Sequence, residues 1–547
     1  MSKHDINNLL QRLEVLNRIG IALSKEKDIT RFLETVVVAA QHLVNADGGT
    51  LYRLEEGLLH FKIVRSESLN LTLGGTAGGA IPFPPIPLYD ATGQPNDRYV
   101  VTYAVLHDKT VVIEDAYTAA RFDFSGTHWF DRRTGYQSRS FLTVPMKDHE
   151  DEIIGVLQLI NAKDPATDAI IPFSKADQEL AECLASQAAI ALTNRSLIDQ
   201  LKILFEKLIN LINIALDEKS PYTGKHCQRV PLLAIMLAEK AIGADQGPFK
   251  EFHLNEEELY ELKIASLLHD CGKITTTAHV VDKATKLETI FDRIQLIDTR
   301  FEVLKRDAEI GMLREKIAML ERGDQPPVAA LEAQLAQSIE QIEADRQFLH
   351  QCNIGSEGMS SDAQNRVRHI ASHYRWSNEH GEKADILSTD EVDNLVIRAG
   401  TLNPQERIII ENHVALTHRM LNALPWPKHL RRVPEYAGSH HEQLDGKGYH
   451  RGLFTEQLSI PARILCIADI FEALTAPDRP YKKGRTLSNV LAILGQMALD
   501  RHIDKELFDL FVREQVWLRY AEQYMDPAQI DAVDVTKIPG YSPPDGD

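Results

Sequence analysis

Two adjacent pairs in the second half of the chain, His269-Asp270 and His440-His441, set metal-ligating side chains next to each other on otherwise apolar segments. His226 (in Tyr222-Thr223-Gly224-Lys225-His226), His413 (in Glu411-Asn412-His413), Glu442 and Asp469 (in Ile467-Ala468-Asp469) complete a dispersed set of the same donor types. Imidazoles and carboxylates are costly to bury without partners, and a shared cation satisfies several at once. The spacing fits no zinc-finger pattern, and no cysteine is offered as a ligand at these motifs. Mixed imidazole and carboxylate donors suit iron, manganese or zinc, and a bridging carboxylate suits a two-metal hydrolytic site. Isolated histidines such as His4, His60, His253, His380 and His502 read as surface or satisfied core residues.

The second half, from Pro221 to about Val516, reads as mostly helical, with both dyads where apolar helices end or turn. Phe301 to Leu320 and Val328 to Leu349 are charged, apolar-periodic helices separated by Gly323-Asp324-Gln325-Pro326-Pro327, which predicts an antiparallel helical hairpin. The tail after Asp526, with its Pro-Gly and Pro-Pro pairs, is predicted to be loose. Upstream, Leu10 to Ala191 mixes α and β. Helical stretches Leu10 to Ser24 and Thr30 to Asn45 flank strands Gly49 to Arg53 and Leu59 to Val64. Further strands are expected at Thr110 to Ile113, Ser140 to Met146 and Ile153 to Asn161, the last two joined by a polar turn at His149 to Glu152. A long helix starts near Ser174, with Asp177 and Glu179 at its positive end. Its continuation carries Leu197, Leu201, Leu204, Leu208 and Leu211 at heptad spacing. That seam is expected of a parallel coiled coil between two copies of the chain, or of one amphipathic helix lying on its own domain.

With 547 residues the chain exceeds what one core supports, so two or three domains are expected. Hydrophobic content of 44% and charged content of 25% are those of globular proteins. The net charge of −19 argues against a nucleic-acid polymer as partner, yet bound cations can invert the local field for a small anion. Cys183, Cys227, Cys271, Cys352 and Cys466 form no framework and read as reduced thiols, which favours the cytoplasm. No apolar run reaches the ~18 residues of a membrane span, and Met1 to Leu10 lacks the regions of a signal peptide.

His269-Asp270-Cys-Gly-Lys273, followed by His440-His441-Glu-Gln-Leu-Asp445-Gly446-Lys-Gly448-Tyr449, resembles the HD-GYP branch of the HD-domain phosphohydrolases. Asp469-Ile-Phe-Glu-Ala-Leu-Thr and Arg479-Pro480-Tyr481-Lys482 resemble that family's later motif. The resemblance implies an all-helical domain that hydrolyses cyclic dinucleotides, chiefly cyclic di-GMP, to the linear dinucleotide and in some members to GMP. It implies that His226, His269, Asp270 and Asp469 hold a first metal, and that Asp270 bridges to a second completed by His413, His440 and His441. Such a pair acidifies a water that attacks phosphorus in line. Lys273 is expected to contact the phosphate, and Arg479, Lys482 and Tyr449 to bind the rest of the substrate. Tyr222 stands where members with a third metal carry glutamate, so two ions, iron or manganese, are expected. His450 replaces the family's proline, freeing the backbone there. His269 and His413 are much further apart than a compact HD-GYP domain requires, which places a helical insertion at about 288–399. Asp282 to Leu287 and Gly400 to Glu406 resemble the family's sequence on either side of it.

Thr134 to Ser140 through Val144-Pro145-Met146, then Gly155 to Asn161, resembles the GAF domains of cyclic-nucleotide phosphodiesterases. Of the motif in ligand-binding members the chain keeps Asn161, Phe173 and Asp177, while Ala162 replaces the lysine and Gln178 the glutamate; Lys163 lies one position along. A cyclic nucleotide, another small ligand or a ligand-free dimerisation module all fit. No cysteine lies between Leu51 and Asn161 for covalent pigment attachment. The expected organisation is a GAF sensor over 10–191 (an antiparallel sheet with flanking helices), a helical connector over 192–220, an all-α HD-GYP domain over 221–525 and a tail over 526–547. The expected function is a homodimeric, metal-dependent cyclic dinucleotide phosphodiesterase. Alternatives are another cyclic dinucleotide, such as cyclic GMP-AMP, or a degenerate effector that binds without hydrolysing.

Overall fold

The computed structural model describes residues 28–76, 78–220, 223–355, 358–378, 380–476 and 484–543, together with 14, 17–21 and 26. The chain divides into two units, Met1–Phe205 and Glu206–Asp547.

The first unit opens with α1 (Ile29–Val44), capped by the Asp28 carboxylate, which accepts the Arg31 N–H. Its apolar face, Phe32, Val36, Val37, Ala40 and Leu43, is buried against the sheet. Strands β1 (Ala46–Glu55), β2 (Leu58–Ser66), β3 (Leu71–Gly74) and β4 (Ile86–Pro87) follow, then helix α2 (Val100–Leu106), β5 (Val111–Ile113) and helix α3 (Ser125–Thr134). The chain returns through β6 (Phe141–Lys147), β7 (Ile153–Lys163) and β8 (Ile170–Ile171) into α4 (Lys175–Lys219). The sheet is antiparallel, in the order β3-β2-β1-β7-β6-β5, with β4 paired to β2 and β8 to β7. Most expected strands lie close to their read positions. The short β3, β4 and β8 and helices α2 and α3 were not legible, because elements of two to ten residues carry too little periodicity. The expected helix at Leu10 to Ser24 falls largely outside the described residues.

The second unit is helical, built from α5 (Thr223–Ile242), α6 (Glu256–Leu268), α7 (Ala278–Val281), α8 (Ile294–Glu321), α9 (Val328–Asn353) and α10 (Ser361–His373). A two-stranded ribbon of β9 (Arg375–Ser377) and β10 (Lys383–Asp385) is an addition to the expected all-α fold. Then come α11 (Thr389–Leu395), α12 (Pro404–Asn422), α13 (Val433–Ala437), α14 (Ile460–Thr475), α15 (Leu487–Leu499), α16 (Lys505–Arg513) and α17 (Val516–Tyr524). One core joins α5, α14, α15, α16 and α17 around Leu233, Leu237, Ile467, Phe471, Leu491 and Phe508. The described part of the tail, 527–543, is not loose: Gln529 donates to the carbonyls of Thr475 and Arg485, and Ile538 is buried in that core.

Helices α8 and α9 form the predicted hairpin around a core of their own, including Ile297, Phe301, Ile342 and Leu349. The two ends of the insertion are stapled together. Lys283 Nζ lies 2.8 Å from both carboxylate oxygens of Glu406, in the first turn of α12, and Lys286 donates to the carbonyls of Leu395 and Ile397. The capping box of Asn403 and Glu406 starts α12 at this staple. A long insertion closed at its base costs little more entropy than a short loop and leaves the helices on either side in place.

Within the first unit, Asp47 is 1% exposed and paired with Lys163 at 2.6 Å, with Ser66 and Tyr136 donating to the same carboxylate. Burial opposes ionisation, but Lys163 and the Ser68 and Tyr136 hydroxyls hold this carboxyl below the usual carboxylate range. The folded value is depressed, so the stabilisation is complete above about pH 4 and is lost as pH falls through the lowered value. Lys163→Met is expected to weaken the unit by roughly 3–5 kcal/mol by leaving a buried charge unpaired. Amide exchange in β1, β2 and β7 under native conditions measures it; unchanged protection would refute the pairing.

Candidate metal centre

Five segments converge on one buried point. Helix α6 ends at Leu268, so His269 and Asp270 leave its C-terminal end and lead into a tight turn over Cys271–Thr275. His226 comes from α5, His413 from α12, Asp469 from α14, and His440 and His441 directly follow α13. Gly272 lets the turn press against α12: a Cβ there would lie 2.1 Å from the His413 carbonyl oxygen. Its N–H donates to Thr417 Oγ1 at 2.9 Å, locking turn to helix.

All seven histidines and aspartates singled out as metal ligands are brought together. His226 Nε2 lies 2.9 Å from Asp469 Oδ1 and 3.3 Å from His269 Nε2. Asp270 turns its two oxygens to different histidines. Oδ2 is 3.6 Å from His226 and 3.4 Å from His269, whereas Oδ1 is 3.2 Å from His413 and 3.9 Å from His440. His441 Nδ1 lies 3.9 Å from Asp469 Oδ2. Two groups able to hold a metal ion result, His226-His269-Asp270 and His413-His440-His441.

The ring tautomers are set from behind. His269, His413 and His440 each place Nδ1 on the carbonyl oxygen three residues earlier, of Ser266, Ile410 and Ala437. A proton held at Nδ1 leaves an Nε2 lone pair pointing into the cluster, the arrangement a metal-ligating imidazole needs. Asp270 Oδ1, His413 Nε2 and His440 Nε2 are buried without a well-formed hydrogen bond. Three orphaned donor atoms facing one point are expensive unless a cation meets them, so the residues present fit a metal.

The electrostatics agree. Burial, reinforced by His441 and His269, holds His440 far below its ordinary pKa, and burial pushes His441 down to about 3 despite Asp469. Both rings are therefore neutral. Burial resists ionisation of Asp270, yet Lys273, His269 and His413 hold its carboxyl well below the usual range. Burial also disfavours the charged form of His226, but Asp469 and Glu472 outweigh it and draw the ring up to about 10. The site thus sets the neutral rings of His440 and His441 beside two ionised carboxylates, whose charge is balanced by the His226 ring and Lys273.

Other side chains support this set. Glu472 contacts His226 Nδ1 and is in turn held by Arg229. It follows Asp469 by three residues on α14, and that helical spacing is the signal that could have found it. Buried Glu442 accepts the N–H groups of Arg451 and Leu453 at 2.8 and 2.9 Å, organising the loop that carries Tyr449. The Tyr449 ring stands 5.0 Å from that of His441. Lys273 Nζ lies 2.6 Å from Asp270 Oδ2. Arg479, Lys482 and Tyr222 lie outside the described residues.

The first unit has a cavity of about 400 Å³ lined by aromatic side chains, among them Phe61, Tyr99, Phe124, Trp129 and Tyr136, with Arg65 and Gln158 as polar groups. Asn161, Phe173 and Asp177 do not line it. Asn161 accepts the N–H groups of Arg139 and Ser140 and donates to the Gln137 carbonyl; Phe173 is in the core; Asp177 accepts from Ser174 at the start of α4. Lys163 is engaged by Asp47 rather than Asp177. The motif shared with ligand-binding members is here consumed by internal hydrogen bonds.

Residues 28–192 match the family described as GAF domain, and residues 385–507 match the family described as HD domain. The chain joins a GAF domain to an HD domain. Its HD match begins near the end of the insertion and takes in α12 to α15. The chain is similar to the 3'3'-cGAMP-specific phosphodiesterases 1 and 3 of Vibrio cholerae, 35% identical over 129 residues and 39% over 118. These stretches are 24% and 21% of this chain and 29% and 25% of those proteins. It is 29% identical over 133 residues to the cyclic di-GMP phosphodiesterase of Thermotoga maritima, covering 22% of this chain and 36% of that one. The chain thus spans about a third or less of the length of these curated relatives.

Gly272→Ala is expected to force α6 and α12 apart, at a cost of roughly 1–3 kcal/mol or more. A lowered melting temperature of the helical unit checks this; an unchanged one would mean the turn has room that the geometry denies it.

Proposed function

We propose that this chain is a two-metal phosphodiesterase that opens cyclic di-GMP to the linear dinucleotide, with further hydrolysis to GMP as a second step, under control of its GAF domain. The split of Asp270, one oxygen toward His226 and His269 and the other toward His413 and His440, carries the reading. In it, His226, His269, Asp270 and Asp469 hold one divalent ion, His413, His440, His441 and Asp270 the other, and iron or manganese suits the mixed donors. Bound there, the ions would neutralise phosphate oxygens and lower the pKa of a water for in-line attack.

The chain's own residues supply the rest. Lys273, held at Asp270, is within reach of a phosphate oxygen at the centre and can exchange its carboxylate partner for it. Tyr449 beside His441 offers a ring edge to a nucleoside. Arg479 and Lys482 are assigned to the second phosphate by resemblance alone. The exposed Leu201, Leu204, Leu208 and Leu211 of α4 support a homodimer, and the aromatic cavity of the GAF domain suits a small planar ligand. Among the described residues no helix is long and apolar enough to cross a membrane, and with five free cysteines a cytoplasmic setting is proposed.

A mixed cyclic GMP-AMP substrate is the second reading, favoured by the two Vibrio cholerae relatives. Metal analysis of the purified chain, then incubation with cyclic di-GMP, cyclic GMP-AMP and cyclic di-AMP, separates the cases. Two metal equivalents and pGpG from cyclic di-GMP are expected; product from cyclic GMP-AMP alone would exchange the substrate. A metal-free, inactive protein that still binds nucleotide would make it an effector. Asp270→Asn should abolish turnover and lower metal content. Glu472→Gln should weaken metal binding about 10–100-fold by releasing His226 from behind; unchanged affinity in a chelator titration would remove Glu472 from the site.

A further inference from the structure

Helix α4 ends against the metal-centre turn. Over its last turns Ile209, Asn213, Leu216 and Ser220 are buried at spacings of four, three and four, so one face is embedded in the helical unit. Leu204, Leu208 and Leu211, on another face, are exposed. The Ser220 hydroxyl donates to Asp282 Oδ1, fixing the helix end beside the segment that follows α7. The Lys219 ammonium donates to two consecutive backbone carbonyls, those of Lys273 at 3.2 Å and Ile274.

Those two carbonyls belong to the Cys271–Thr275 turn, which directly follows His269 and Asp270 of the metal centre. The turn is gripped from the other direction by Thr417 and the close packing of Gly272 on α12. Lys273 lies where the two grips meet, and Asp270, just before them in the chain, accepts the Lys273 N–H on its backbone carbonyl at 2.9 Å. A buried carboxylate with each oxygen facing a different pair of histidines tolerates little displacement, since a shift of under an ångström toward one pair withdraws it from the other.

We infer that Lys219 is a positioning residue: its ammonium clamps the Cys271–Thr275 turn and thereby sets where Asp270 and Lys273 stand. Because α4 runs unbroken over Lys175–Lys219, a twist or axial shift of its end is passed to the metal-centre turn by this side chain. A change in how the exposed leucine face packs therefore tightens or releases the turn without any ligand touching the centre. This deepens the phosphodiesterase reading and rests on it for the kinetic part of its test only.

The test compares the full chain with Lys219→Met, which keeps the stem and removes the donor, and Lys219→Arg, which keeps a donor. All are loaded with manganese. Amide exchange is followed across 271–276, with the buried helices α14 and α15 as a folding reference. Lys219→Met should exchange roughly tenfold faster in the turn, the weight of one hydrogen bond to a charged group, with α14 and α15 unchanged. Its kcat on the cyclic dinucleotide should fall by about the same factor with KM held. Lys219→Arg should restore both to within about threefold. Equal turn exchange in wild type and Lys219→Met would overturn the inference, as would a Lys219→Arg variant no better than Lys219→Met. If the wild type cleaves no cyclic dinucleotide, the phosphodiesterase reading fails on its own, while the exchange measurement still decides the clamp.

Discussion

Everything in the helical unit is arranged around one carboxylate. Asp270 is buried, and each of its oxygens has its own pair of imidazoles, so a single side chain must sit where five chain segments meet. Keeping such a group ionised in an apolar interior demands compensating positive charge close by. The turn after α6, the glycine contact with α12 and the carbonyl-anchored histidines together fix where that carboxylate and its imidazoles stand.

That requirement explains how so large an insertion is tolerated. The hairpin of α8 and α9 carries its own core, and its base is closed by Lys283 on Glu406 and Lys286 on two carbonyls. Lys286 is 1% exposed, a rare setting for lysine, and burial lowers its pKa. Two backbone oxygens meet its ammonium, so the cost of burial is offset where the chain leaves and re-enters the helical framework. The separation of His269 and His413 in the chain is therefore irrelevant to their separation in space.

The two units differ in how they use charge. In the GAF domain the buried Asp47 finds a lysine and three hydroxyls, a closed network that stabilises the start of the central strand β1 and satisfies the carboxylate internally. In the HD domain the buried aspartates find imidazoles whose outward nitrogens are not satisfied by protein alone. The first pattern is structural; the second is what a binding centre looks like before its ligand is counted.

The adjacent His269-Asp270 and His440-His441 pairs stand out in the chain itself, because such pairs on apolar helices have few other physical uses; the proposed ligand set of seven comes from the family resemblance, and the structure brings those seven side chains together. The hairpin and most of the sheet were legible as well, since burial of one face imposes a period that sequence displays directly, whereas the heptad leucines of α4 are exposed within the single chain. What the chain could not display were contacts between residues far apart in it and without periodicity. Lys163 lies one position from the motif's lysine yet belongs to Asp47; Asn161 and Phe173 match a ligand-binding motif yet serve the interior; the described part of the tail beyond Asp526 carries turn residues yet packs. Glu472 and Lys219 act through atoms brought to them from distant parts of the chain, and Glu442 through backbone N–H groups of the loop that follows it. Residue type and spacing determine which groups are able to do chemistry, because ionisation and donor identity are local properties. Tertiary structure alone decides which of them face one another, because that depends on how whole helices and strands pack.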